Sequence, residues 1–88
     1  MNERARDEAQ FILYDCEQLL VKAHRYSRAL ESRGPSIRRW ARRVLRSMLA
    51  WDQLEALERR ANVYRNHPLY LEIADRLFAL GEMAVALS

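Results

Sequence analysis

Apolar residues recur along the first third of the chain in alternating steps of four and three: Ala5, Ala9, Ile12, Cys16, Leu19, Ala23, Tyr26 and Leu30. That spacing keeps one apolar side chain per turn on a single face and predicts a long amphipathic helix over residues 5–32. Phe11, Leu13 and Leu20 flank the seam and make it wider than a two-stranded contact needs, which favours a bundle. Gly34 and Pro35 end the helix: Gly34 is expected to supply a left-handed cap, and Pro35 cannot continue the hydrogen-bond ladder.

A second helix is predicted over 36–65, capped by Ser36 or starting at Pro35 itself. Ile37, Ala41, Val44, Met48 and Trp51 repeat the four-three rhythm, and then Leu54, Leu57, Ala61 and Tyr64 follow after two successive steps of three. Those short steps rotate the apolar stripe by more than a third of a turn, so either the helix bends near Asp52 or its halves face different neighbours. Asn66-His67-Pro68 marks the next break, with Asn66 or His67 as cap and Pro68 opening a third helix over 68–87.

Tyr70, Ile73, Leu77, Leu80, Ala84 and Leu87 form the seam of that third helix, and most of its remaining positions are apolar as well. Leu71, Phe78 and Val85 recur at spacings of seven and form a second stripe that two preceding helices cannot cover. The expected fold is therefore all-α: one domain spanning residues 1–88, a three-helix bundle built as a long hairpin plus a C-terminal helix. Homodimerisation or a protein partner is expected to complete its core.

Composition supports this. Only two Gly and two Pro interrupt 88 residues, far too few for the turns of a β-rich domain, while 50% apolar and 31% charged residues describe a globular chain. Cys16 stands alone and forms no internal disulfide, the acidic and basic start has no signal-peptide pattern, and no 18-residue run is free of charge. The expected location is the reducing cytoplasm, with no membrane association.

Charge changes the picture more. The net charge is only +3, but residues 33–46 carry +6 and no acidic residue. On a helical projection Arg38, Arg39, Arg42, Arg43 and Arg46 fall within an arc of about 140°, with Trp40 at its border beside Arg43. Such a face is solvated and paired with acids of the first helix, or binds a polyanion such as RNA or DNA, or meets an acidic protein surface.

Two partial resemblances exist. Tyr70, Ile73, Ala74, Leu77, Gly81, Glu82, Ala86 and Leu87 sit where a tetratricopeptide repeat places its bulky, small, turn and Ala-Leu positions, which resembles part of one such repeat and implies that Gly81 is a turn. Arg60 and His67, with six residues between them, resemble the Arg-to-His spacing of the small helical ribonucleases of the HEPN class and imply a pair that holds RNA phosphate. His24 lies one position off the seam, as a surface or boundary residue. No His or Cys stands at metal-ligand spacing from it or from Cys16, and no phosphate loop or nucleophile motif occurs. Neither metal nor cofactor nor catalysis is expected. The leading expectation is a protein-binding adaptor, chaperone-like or regulatory subunit that uses Leu71, Phe78 and Val85 together with Leu54, Leu57 and Tyr64. An RNA- or DNA-binding protein acting through the arginine face comes second, and a HEPN-like ribonuclease third.

Overall fold

A computed structural model describes the backbone of residues 3–87 and the side chains of residues 8–87. Ala5, the first residue of the expected seam, lies outside the described side chains. The described chain is helical throughout its ordered elements, without a strand: α1 (Glu3–Ala29), α2 (Pro35–Met48), α3 (Trp51–Asn62) and α4 (Tyr70–Leu87).

The contacts give the topology. Asp15 of α1 pairs with Arg60 of α3 at 3.4 Å, and Tyr26 of α1 packs edge-on against Trp40 of α2 with ring centroids 5.3 Å apart. The segment α2–α3 therefore returns antiparallel along α1. The Tyr70 hydroxyl donates to Asn62 Oδ1 at 3.3 Å, and Arg46 donates to the Leu87 carbonyl at 3.4 Å, so α4 runs back along α2–α3 and parallel to α1. The result is the expected hairpin plus C-terminal helix, drawn out to 51 × 18 × 15 Å.

The middle segment, expected as one helix, is divided at Leu49 and Ala50. Ala50 takes an extended backbone (φ −59°, ψ 139°), and its carbonyl accepts from the N–H groups of Gln53 and Leu54, which starts α3 afresh. The physical reason is the spacing: in an unbroken helix Leu54 and Ala61 would point about 150° away from Leu45 and Leu49. The break turns all four into one core, where each is buried.

Ile12, Cys16 and Ala23 from α1 and Ile73, Leu80 and Ala84 from α4 complete that cluster, and Ala9 of α1 and Ala41 of α2 are buried outside it. Half of these twelve buried residues are Ala or Cys, which lets the helix axes approach closely. Two expectations for α2 fail for the same reason. Its buried ridge is Ala41, Leu45 and Leu49, whereas Ile37 and Trp51 are half exposed, because the ridge that meets α1 and α4 lies one residue over from the Val44 and Met48 line. Leu19 and Leu30 are only partly buried at the edge of the core.

Gly34 also plays a different part. It is not left-handed: with φ −81° and ψ 119° it is the residue that precedes α2, its carbonyl accepts from Arg38 N–H at 3.1 Å, and its N–H donates to Ser32 Oγ at 3.3 Å. Pro35 then takes the first helical position. Gly81 lies inside α4 and is not a turn, so the helix–turn–helix path of a tetratricopeptide repeat is absent from residues 70–87.

Candidate interaction surfaces

Helix α4 divides its apolar residues between two faces. Ile73, Leu80 and Ala84 enter the core, with Tyr70 and Leu77 partly buried beside them. On the other face Leu71, Phe78 and Val85 remain 79%, 69% and 59% exposed. Trp51, at the first position of α3, stands against this second stripe. With Phe78, Gly81, Glu82, Val85 and Ala86 it lines an open hollow of about 480 Å³. A Cβ added at Gly81 would meet no atom within 4 Å, so nothing inside the chain requires glycine there. An interior helical glycine costs about 1 kcal/mol relative to alanine. Along one edge of the stripe a helical projection sets the carboxylates of Asp75 and Glu82, and Ala74 and Gly81 line the other edge.

The remaining residues expected on this surface lie elsewhere. Leu54 is buried in the chain's own core, and Leu57 and Tyr64 pack against that core from α3 and the segment after it. Leu54 is consumed by the core and the other two are partly covered, because the break at Ala50 turned the α3 stripe inward.

The arginines of α2 all lie at the surface. Arg38 donates to the Ser32 carbonyl at 2.9 Å and Arg46 to Leu87, so the outer two are tethered to backbone. Among the described residues the side chains of Arg39, Arg42 and Arg43 make no hydrogen bond and no ion pair, so pairing with acids of α1, one of the three fates open to this face, does not form. Asp15 of α1 goes to Arg60 of α3 instead. Leu30, Pro35, Arg38, Arg39 and Arg42 line a shallow hollow at the start of α2.

A third open groove, of about 590 Å³, runs between α1 and α3 and is lined by Glu8, Phe11, Ile12, Asp15, Arg60, Val63 and Tyr64. The Tyr64 hydroxyl donates to Glu8 across it. His67 is not part of this groove. Its Nδ1 accepts from Leu69 N–H at 3.0 Å, its Nε2 is buried without a partner among the described residues, and its ring meets Tyr64 edge-on. Arg60 is engaged with Asp15, so the arrangement lends the ribonuclease-like pairing no support.

Cys16 is fully buried at the centre of α1. Burial, and then the neighbouring Asp15 and Glu17 carboxylates against the opposing pull of Arg60, push its thiol up to about 11. Among the described residues no group of three His, Cys, Asp or Glu is placed to hold a metal ion, and no helix is long and apolar enough to cross a membrane. His24 is exposed.

No family model, no curated protein and no solved structure matches this chain. Two surface features escaped sequence reasoning. By spacing Trp51 continues the α2 stripe, and only the break at Ala50 sets it against α4. The Phe11–Val63 groove joins residues far apart in the chain, and no local pattern announces it.

Proposed function

We propose that this chain is a small protein-binding module, an adaptor or regulatory subunit, whose docking surface is the outer face of α4. One observation carries the reading: the same helix buries Ile73 and Leu80 completely and leaves Leu71, Phe78 and Val85 in solvent at 79%, 69% and 59%. Scattered apolar residues are ordinary on a surface, but three in register beside a Trp wall make a contiguous patch.

The occupant that fits is an amphipathic helix with basic residues on its flank. Gly81, open above and lined with Ala74, lets a second backbone come close, while Phe78 and Trp51 supply the aromatic anchors of a hot spot. Glu82 along the edge calls for Lys or Arg opposite, while Asp75 beside it already pairs with Arg76 at 2.8 Å. A second copy of this chain fits less well. Antiparallel pairing of α4 about Phe78 would set Glu82 of one copy opposite Asp75 of the other, whose carboxylate already holds Arg76, so the two edges offer each other no free cation. Leu71, Phe78, Val85 and Trp51 present roughly 500 Å² of apolar surface, below the ~800 Å² per partner of a standard interface, which suits a reversible contact.

A pair of designed helical peptides of about 18 residues tests this, one with Leu at three-four spacing and Lys on the flanks, the other with Glu in place of Lys. The Lys peptide is expected to bind with Kd in the micromolar range, and Phe78→Glu to abolish binding while the helical melt is kept. Gly81→Ala should stabilise the free chain by about 0.5–1 kcal/mol and yet weaken the peptide, a combination that a purely structural glycine would not give. Equal binding of the Glu peptide, or indifference to Phe78→Glu, would overturn the reading. So would a wild type that light scattering finds dimeric through this face.

A further inference from the structure

Beyond the α4 surface, we propose that the hairpin end of the molecule, built from the second half of α1 and from α2, binds single-stranded nucleic acid through its phosphate backbone.

Tertiary structure makes this surface larger than the arginine run. Between residues 18 and 50 nine Lys or Arg stand against one acid, Glu31, for a net charge of +8, which leaves −5 on the rest of a chain whose total is +3. The Tyr26–Trp40 contact packs the end of α1 on the start of α2, so Lys22, Arg25 and Arg28 join Arg33 and the five arginines of α2 at one pole. Glu8 beside Tyr64, and Glu72 and Asp75 in the first turns of α4, lie toward the opposite pole. A charge distribution split in this way orients a polyanion onto one end of the rod.

The α2 face has the spacing of a strand reader. Arg38, Arg42 and Arg46 form one ridge and Arg39 and Arg43 a parallel one, with a rise of about 6 Å between successive members of each ridge. That rise is comparable with the separation of neighbouring phosphates. Arg38 and Arg46 are anchored at the ends by their bonds to the Ser32 and Leu87 carbonyls, and Arg39, Arg42 and Arg43 are left with all their donors unengaged among the described residues. Arginine forks match phosphate oxygens two at a time. Trp40, 53% exposed beside Arg43 and steadied by Tyr26, offers a ring on which an unpaired base stacks.

The competing partners fit less well. An acidic protein surface would find apolar anchors only at the border of the arginine arc, at Trp40 and Ile37, and none within it. An anionic membrane needs the apolar face of the helix free to enter it, and α2 has already buried Ala41 and Leu45 against α1 and α4.

Fluorescence anisotropy with labelled 15-nucleotide oligo(U) and oligo(dT), titrated with salt, tests the proposal, and its two arms distinguish RNA from DNA. Wild type is expected to bind with a log–log salt slope of roughly −3.5, as about five phosphates at ~0.7 each require. The triple variant Arg39→Gln, Arg42→Gln, Arg43→Gln should lose more than tenfold in affinity and about two units of slope, with an unchanged melt. The pair Arg59→Gln, Arg65→Gln, outside this pole, should bind within twofold of wild type. In a Trp51→Phe background, quenching of the remaining Trp40 emission on adding oligo(U) reports stacking. The proposal falls if wild type does not bind either oligonucleotide at 50 mM salt. It also falls if the Arg59/Arg65 pair loses as much as the triple variant, if polyglutamate competes as well as oligo(U), or if duplex binds more tightly than single strand.

Discussion

Leu45→Ala is expected to lower the unfolding free energy by about 2–5 kcal/mol. Leu45 is fully buried and, with Ile73 and Leu80, one of the three largest such side chains. It sits where α2 meets α1 and α4, one turn before the chain breaks at Ala50, so the α2–α3 turn gives its surroundings little freedom to collapse into the cavity. For a domain of 88 residues each kcal/mol moves Tm by roughly 4–8 °C, so the melt should fall by roughly 8–40 °C. Leu19→Ala makes the matched comparison, because Leu19 is only partly buried and opens on one side to a separate hollow shared with Lys22, Gln53 and Leu57. Its loss should be well under half that of Leu45. Thermal and urea unfolding followed by circular dichroism measure both, and equal losses would show that the heptad seam of α1, and not the α2 ridge, dominates the core.

Native Cys16 should react with a thiol reagent at pH 8 at least a hundredfold more slowly than the unfolded chain. Its thiol rises from 9.0 to about 11, chiefly through burial, so the native thiolate is about a hundred times scarcer than the unfolded one at any pH below 9. Complete burial adds a steric barrier. The same shift ties stability to pH. The unfolded state ionises first as pH rises past 9, the native state holds its proton until about 11, and stability present below pH 9 is lost across that window. The loss should approach 2–3 kcal/mol, at about 1.4 kcal/mol per pH unit. Cys16→Ala removes this component, so the difference between the two urea midpoints should narrow from pH 8 to pH 11. A wild type that reacts as quickly folded as unfolded would place Cys16 outside the core.

Much of the architecture was legible beforehand because period and punctuation are local properties. Steps of three and four from Ala9 to Leu30 require a helix, Gly34-Pro35 and His67-Pro68 interrupt the chain, and three helical segments of these lengths pack as a hairpin plus a third helix. The double striping of α4 could be read in the same way, since residues seven apart share a face whatever surrounds them; Leu71, Phe78 and Val85 are exposed as that pattern requires. The change of rhythm after Trp51 marked a discontinuity too, but a bend and a break satisfy it equally.

Packing decided the rest. Whether the Leu45–Leu49 ridge or the Val44–Met48 line enters the core depends on how α2 is rotated against α1 and α4, and a rotation by one residue position leaves the sequence pattern almost as well satisfied. The break at Ala50 follows from burying Leu54 and Ala61 beside Leu45, a demand set by residues on other helices; it drew Leu54 away from the surface and set Trp51 against Phe78. Ion pairing is likewise a matter of distance in space. The acids of α1 were in reach of the α2 arginines as far as sequence could say, and the antiparallel register gave Asp15 to Arg60 instead, leaving Arg39, Arg42 and Arg43 uncompensated at the basic pole. Periodicity determines which face of a helix is apolar, and only the neighbouring helices determine what that face meets.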